Sequence, residues 1–116
     1  MKLEQILSPL LAAPGALAAA LVDLQGETVA RVGDEGVLEV LGAYESVWMA
    51  ELRATAGPSG LGALDEVSMD FGSRRVLAAE VGEGYFVLVV FDRTGVPSLS
   101  RRRLPAIREL LRSEIA

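Results

Sequence analysis

The chain of 116 residues contains no cysteine and no histidine. Without cysteine it can form neither disulfides nor thiolate metal sites, and without histidine it lacks imidazole ligands and the commonest general base. These two absences remove most hydrolase and metal chemistry from consideration. We therefore expect the protein to hold no metal and no cofactor.

Two carboxylates and two glycine-containing turns are the remaining features that could suggest chemistry. Asp23 and Asp92 follow the two most apolar predicted strands and could form a catalytic pair, but turn residues are the better interpretation. Segments 60–62 and 82–84 have paired glycines but lack the spacing, the Lys-Ser/Thr pair and the strand-to-helix setting of a phosphate loop. Since no nucleophile, base and orienting residue can be assembled, we expect a protein that is not an enzyme.

Positive charge is also scarce, because 11 Lys and Arg residues face 16 Asp and Glu residues, for a net charge of −5. A phosphate backbone would be repelled, so we expect no nucleic-acid partner. Residues 10–22 resemble a signal peptide, but Pro14 and Gly15 interrupt them, and no apolar run approaches the roughly 20 residues of a membrane span. We expect a cytoplasmic protein that does not insert into a membrane.

Residues 1–116 have the length of one compact domain, and 51% of them are hydrophobic, which predicts a single folded core. Apolar periodicity and turn residues predict the element order αββαβββα. Pro9 should weaken or bend the first helix, and Pro105 is expected only near the first turn of the last helix. The predicted helices are residues 2–13, 37–54 and a last helix after Pro97, and the predicted strands are residues 16–22, 27–32, 64–71, 74–81 and 85–91.

The sheet order follows from strand composition. Strands 16–22 and 85–91 are continuously apolar, so they should be central neighbours buried on both faces. Keeping the short hairpin and meander connections gives an α+β fold with a five-stranded antiparallel sheet of order 2-1-5-4-3, in which the third strand is an edge. The middle helix should cover one face and the two terminal helices the other.

The middle helix is apolar on two sides. Its bulky stripe of Leu41, Trp48 and Leu52 is predicted to face the sheet, and an opposite arc of alanine and valine is predicted to face a second copy of the chain. The edge strand could pair with its own copy across the same two-fold axis. The predicted interface comprises Val40, Ala43, Tyr44, Val47, Ala50, Glu51 and Ala54 of the helix and Leu64, Glu66 and Ser68 of the edge strand.

Two alternatives remain open. In a monomer, loops and the long side chains of Glu45, Glu51 and Arg53 could cover the second apolar arc. The basic run Arg101, Arg102 and Arg103, whose position at the start of a helix opposes the helix dipole, could contact an acidic partner or could instead offset Asp65, Glu66 and Asp70.

The element order, the hairpin motif Val22-Asp23-x-x-Gly26, the apolar middle helix and the strand from Gly82 to Phe91 before a final helix together resemble the roadblock/LC7 family. The resemblance covers nearly the whole chain. It implies a profilin/longin-like roadblock fold without catalytic residues, in a homodimeric or heterodimeric cytosolic module. Such modules serve as scaffolds or regulators of small Ras-like GTPases, as in the MglB-type bacterial proteins, and of dynein.

The leading hypothesis is therefore a homodimeric signalling regulator or scaffold that binds a small Ras-like GTPase through its paired middle helices and can modulate GTP hydrolysis. One alternative is a small-molecule sensor, which would need a pocket lined by converging polar groups. The other is a generic dimeric scaffold.

Overall fold

The computed structural model describes residues 2–82 and 84–115, with the side chains of Val40 and Ala43 left out of the description. Glu83, in the predicted turn 82–84, lies outside the described residues. The helices are α1, Leu3–Leu7, continued by a 3₁₀ helix, Ser8–Ala12, then α2, Glu35–Ala56, and α3, Ser98–Ile115. The strands are β1, Ala16–Asp23, β2, Thr28–Gly33, β3, Glu66–Asp70, β4, Arg74–Gly82, and β5, Tyr85–Asp92.

The five strands form one antiparallel sheet of order β2-β1-β5-β4-β3, which confirms the predicted topology. The two central strands are buried on both faces, since residues 18–22 of β1 and 86–91 of β5 have no solvent exposure. Their continuous apolar sequence is the direct cause, because no polar position is available to face water. As predicted, β3 is an edge of this sheet.

The sheet separates two apolar clusters. The α1 and α3 side holds Ile6, Leu10, Phe91 and Leu104 in one cluster. The α2 side holds Leu38 and Met49 of the helix in the other. The middle helix therefore covers one face and the terminal helices cover the other, as expected.

The two prolines predicted within helices have different outcomes. The first predicted helix, residues 2–13, weakens at Pro9 as expected and divides there into α1 and a 3₁₀ helix, because the missing N–H removes an α-helical hydrogen bond. Pro105 lies well inside α3 and not in its first turn, because α3 already begins at Ser98. None of the helices in the described part of the chain is both long and apolar enough to cross a membrane.

Candidate functional site: the outer face of the middle helix and the adjacent edge strand

The start of α2 is determined by local chemistry. Gly33 has a φ of +88°, and a Cβ at that position would clash with the backbone of Leu17 and Ala18. The next residue, Asp34, caps the helix, because its Oδ1 accepts a hydrogen bond of 3.0 Å from the backbone N–H of Gly36. This turn sets the direction in which α2 crosses the sheet.

The side of α2 that faces the sheet is not the predicted bulky stripe. Leu38, Glu45 and Met49 are fully or almost fully buried, whereas Leu52 is 40% exposed. Spaced at 100° per residue, the buried positions are centred roughly 80° around the helix from the predicted stripe. The prediction that Trp48, Leu41 and Leu52 form the sheet contact was therefore wrong in its centre, although Leu41 still packs at the margin of the cluster.

Small residues explain this rotation. Gly42 lies on the buried side, where an added Cβ would be 3.6 Å from Thr28 Oγ1 and 3.7 Å from the carbonyl oxygen of Gly26. The sheet beneath contributes Ala18 and Ala20, so the backbone of α2 can approach closely without a bulky side chain between. Trp48 instead lies to one side, with its ring centroid 6.0 Å from that of Phe71, the residue after β3.

The predicted outer arc of α2 is exposed. Tyr44 is 59% exposed and Val47 is 58% exposed, and Ala50, Glu51 and Ala54 are exposed as well. The side chains of Val40 and Ala43, which were predicted to belong to the same arc, lie outside the described residues. The helix thus presents a mostly apolar outer surface, defined by Tyr44, Val47, Ala50 and Ala54, and the exposed Glu51 lies between Val47 and Tyr44 on the same side.

Of the three long side chains that could cover this arc in a monomer, two are directed elsewhere. Glu45 points to the sheet and is completely buried. Arg53 is directed away from the arc, since its Nη2 is 3.3 Å from Glu80 Oε1 on β4 and its guanidinium carbon is 5.8 Å from the ring centre of Phe86. Only Glu51 of the three remains on the exposed side.

The edge strand β3 and the residue before it are joined to α3 by two ion pairs. Arg101 Nε is 2.8 Å from Glu66 Oε1, and Arg108 Nη2 is 2.7 Å from Asp65 Oδ1. Ser68 is exposed and Leu64 is half-buried. Since no described strand lies beyond β3, its outer backbone edge is open to a further strand.

Two open grooves join α2 to this edge. One, of about 930 Å³, is lined by Tyr44, Trp48, Phe71 and the start of β4, and the other, of about 500 Å³, by Leu52, Leu64 and Glu66. Two of the charged side chains at the first groove are engaged locally, because Asp34 caps α2 and Arg74 Nη1 donates to the carbonyl of Ser73. Tyr44 and Ser73 are further polar residues of a lining that is otherwise largely apolar.

The three adjacent arginines have different surroundings. Arg101 pairs with Glu66, and Arg103 Nη1 donates a 2.7 Å hydrogen bond to the carbonyl oxygen of Pro9. Arg101 alone of the run therefore offsets one of the three acidic residues considered, since Asp65 and Asp70 pair with Arg108 and Arg75. Arg102 is exposed and forms no ion pair with a described residue, so it is the arginine best placed to meet another molecule.

The two aspartates considered for catalysis form turns. Asp23 Oδ1 accepts hydrogen bonds of 2.9 Å from the N–H groups of Gln25 and Glu27. Asp92 Oδ1 accepts bonds of 2.9 and 2.8 Å from the N–H and hydroxyl of Thr94. Their role as turn residues is confirmed, and residues 2–82 and 84–115 contain no cluster of acidic side chains that could hold a metal.

Glu45 is the residue that sequence reasoning missed. Its side chain is 0% exposed, neither carboxylate oxygen has a hydrogen-bond partner among the described residues, and burial raises its pKa to about 7. The available signal was its spacing from Leu38 and Met49, which places all three on one strip of the helix. A glutamate between two large apolar residues was assigned to the surface because of its residue type alone.

The fold is similar to several solved structures. A roadblock/LC7 domain from Streptomyces avermitilis matches with a TM-score of 0.85 and 18% identity, over 99% of this chain and 98% of that chain. MglB from Myxococcus xanthus matches with a TM-score of 0.85 and 18% identity, over 99% and 95%. An MglB with a tetrameric arrangement matches with a TM-score of 0.81 and 22% identity, over 94% and 84%. No protein-family model and no curated protein matches the sequence.

Proposed function

We propose that this chain, which has the roadblock/LC7 fold, is a non-catalytic homodimeric regulator or scaffold that binds a small Ras-like GTPase. The protein would act in the cytoplasm, and it would change the rate at which its partner hydrolyses GTP. The proposal combines a surface seen in the described residues with a role that the roadblock resemblance implies.

The observation that carries self-association is the exposed apolar outer surface of α2. Tyr44 and Val47 are each more than half exposed, Ala50 and Ala54 beside them are exposed and apolar, and Glu51 adds one charged side chain to this side of the helix. A stable soluble domain seldom leaves a contiguous apolar patch uncovered. Small side chains at Ala50 and Ala54 would let a second helix approach closely, so a copy of α2 is a suitable cover.

The edge strand supports the same partner. An isologous dimer brings the same surface of each chain to the two-fold axis, so α2 would meet α2 and β3 could meet β3. Pairing of the two edges would satisfy backbone groups that are otherwise left to water, with Glu66 and Ser68 along the junction. Leu64 beside the groove would add apolar area.

The GTPase partner is supported by the resemblance and by the fold. The roadblock likeness implies such a client, and solved structures of similar fold include an MglB described as a gliding protein, from Thermus thermophilus, at 21% identity and a TM-score of 0.78. The chain's own contribution would be the paired helices, with Arg102 as an accessible contact for an acidic partner surface.

The direct experiment is a titration of candidate Ras-like GTPases from the same genome, each loaded with GDP or with a non-hydrolysable GTP analogue. Calorimetry should detect binding to at least one GTPase, with different affinities for the two nucleotide states. Sedimentation of the chain alone should show a dimer. Absence of binding in both states, with an intact dimer, would reduce the protein to a generic dimeric scaffold, and a monomeric chain would refute the dimer itself.

A further inference from the structure

The buried carboxyl of Glu45 has no role in the proposed interface. It lies near the middle of α2, on the side that meets the sheet, and both of its oxygens are shielded from solvent without a hydrogen-bond partner among the described residues. A carboxylate in such a place loses its hydration and gains nothing in return, whereas a neutral carboxylic acid loses much less. The structure in which α2 is docked on the sheet therefore favours the protonated form of Glu45.

Among the described residues, no positive group is placed to neutralise Glu45. The strands beneath α2 present Ala18, Ala20 and Val22 from β1 and Phe86, Leu88 and Val90 from β5, none of which can carry charge. The register places Arg31 of β2 on the same face, but that arginine pairs with Glu35 at 3.5 Å.

The other charged groups around α2 are also engaged or distant from the buried strip. On β4, Glu80 pairs with Arg53 of α2, and Arg74 donates to its neighbouring carbonyl. Asp92 at the end of β5 is held in its own turn. On α2 itself, Glu39, Glu51 and the Tyr44 hydroxyl are on the exposed side. Ionisation of Glu45 would thus have to be compensated by water.

Helical neighbours of this carboxyl line a groove that is open to water. Leu41 and Trp48, which line the 930 Å³ groove, lie four residues before and three residues after Glu45, and residues at these spacings are neighbours on a helix surface. Trp48 is only partly buried, so solvent reaches the residue that lies one turn beyond Glu45. A small displacement of the middle of α2 would connect the carboxyl to the groove.

We propose that Glu45 is a proton-operated latch between α2 and the sheet: the neutral carboxyl keeps the middle of the helix docked, and loss of its proton to water opens that segment towards the groove. The latch lies within a single chain, so it does not depend on the proposed GTPase partner. A solvent-exposed glutamate would ionise well below neutrality, whereas burial moves the pKa of Glu45 to about 7, where modest changes in pH operate the latch.

Amide hydrogen exchange at residues 42–49 tests this latch. The opening equilibrium constant of the intact protein, corrected for intrinsic exchange, should rise roughly tenfold per pH unit between about pH 5 and pH 7 and then level off, since one pKa unit corresponds to a tenfold change. Glu45→Gln should keep the opening constant low and independent of pH. Glu39→Gln, which removes an exposed carboxyl from the same helix, should retain the wild-type slope.

Three results would overturn the latch. One is a wild-type opening constant that does not change with pH, and another is an unchanged slope in Glu45→Gln. The third is failure of both Glu45→Gln and the apolar variant Glu45→Met to fold, because a neutral group is the form that the closed structure should accept. Carbon NMR of the Glu45 carboxyl gives an independent readout, with a midpoint near neutrality supporting the latch and a midpoint near 4.5 refuting it.

Discussion

The rings of Trp48 and Phe71 lie 6.0 Å apart at an angle of 30°, and this contact joins the middle of α2 to the turn after β3. Both side chains retain contact with solvent, so the pair closes the side of the molecule without belonging to either core cluster. The contact should therefore contribute to stability, but less than a pair buried in the core would.

Trp48→Ala should lower the free energy of unfolding by about 1–3 kcal/mol, which is less than the roughly 3–5 kcal/mol typical of a fully buried tryptophan. A double-mutant cycle with Phe71→Ala should give a coupling energy of about 0.5–1.5 kcal/mol, the range of aromatic pairs. Urea denaturation of the four proteins measures both quantities. A coupling energy near zero would mean that the rings merely lie side by side.

Val47→Glu should convert the dimer to a monomer while leaving the fold intact. The substitution places a charge at a position that is already 58% exposed, so the isolated chain tolerates it but a helix-to-helix interface does not. Sedimentation velocity measures the change. The matched control is Leu110→Glu, at an exposed leucine on α3, which should remain dimeric. Loss of the dimer in the control as well would place the interface elsewhere.

Arg102→Ala should affect binding to an acidic partner, whereas Arg101→Ala should affect the stability of the chain. Removal of Arg102, which has no ion pair with a described residue, should leave the unfolding free energy unchanged and weaken binding to an acidic partner surface. Arg101→Ala breaks the 2.8 Å pair with Glu66 and should cost up to about 1 kcal/mol, as expected for an exposed pair. Chemical denaturation and partner titration, performed on both variants, distinguish the two roles. Equal effects of the two variants on binding would argue against a special position for Arg102.

Stability should decrease as pH rises. The pKa of Glu45 is raised in the folded state from 4.5 to about 7, so the folded protein holds this proton more tightly than the unfolded chain. The contribution is fully present below about pH 4.5, falls as pH rises towards 7, and is lost above that value, with a total of about 3 kcal/mol. Denaturation midpoints from pH 5 to pH 8 measure it, and in Glu45→Gln this component should disappear.

Gly33→Ala should destabilise the protein by roughly 2 kcal/mol or more, because φ of +88° is strained for alanine and its Cβ would meet the backbone of Leu17. Gly57→Ala is the matched control, since Gly57 has φ of −59° and nothing within 4 Å of an added Cβ. That variant should be neutral or slightly stabilising. Thermal unfolding of the two variants provides the comparison, and similar melting temperatures would contradict this account of the turn.

The element order and the strand order were predictable from local patterns. Continuous apolar runs indicated that β1 and β5 are central strands. The alternation of Val67 and Met69 with polar residues indicated that β3 is half-buried. With short turns between consecutive strands, these assignments predicted the observed strand order. The roadblock resemblance rested on that order, and the similar solved structures confirm the fold. The helix predictions were less accurate at Pro105, because α3 begins at Ser98 and continues through that proline.

The middle helix was predictable in its composition but not in its orientation. Its amino-acid pattern alone shows that α2 is apolar on more than one side and that the arc containing Val47, Ala50 and Ala54 has smaller side chains than the bulky stripe. The tertiary structure decided the rotation of the helix, because the small residues of the sheet and Gly42 admit the helix backbone where a hydrophobicity pattern favours large side chains. That rotation buries Glu45 and moves Trp48 to the margin. It could not be predicted from the sequence, because a helical wheel orders residues around an axis but contains no information on the shape of the surface beneath it.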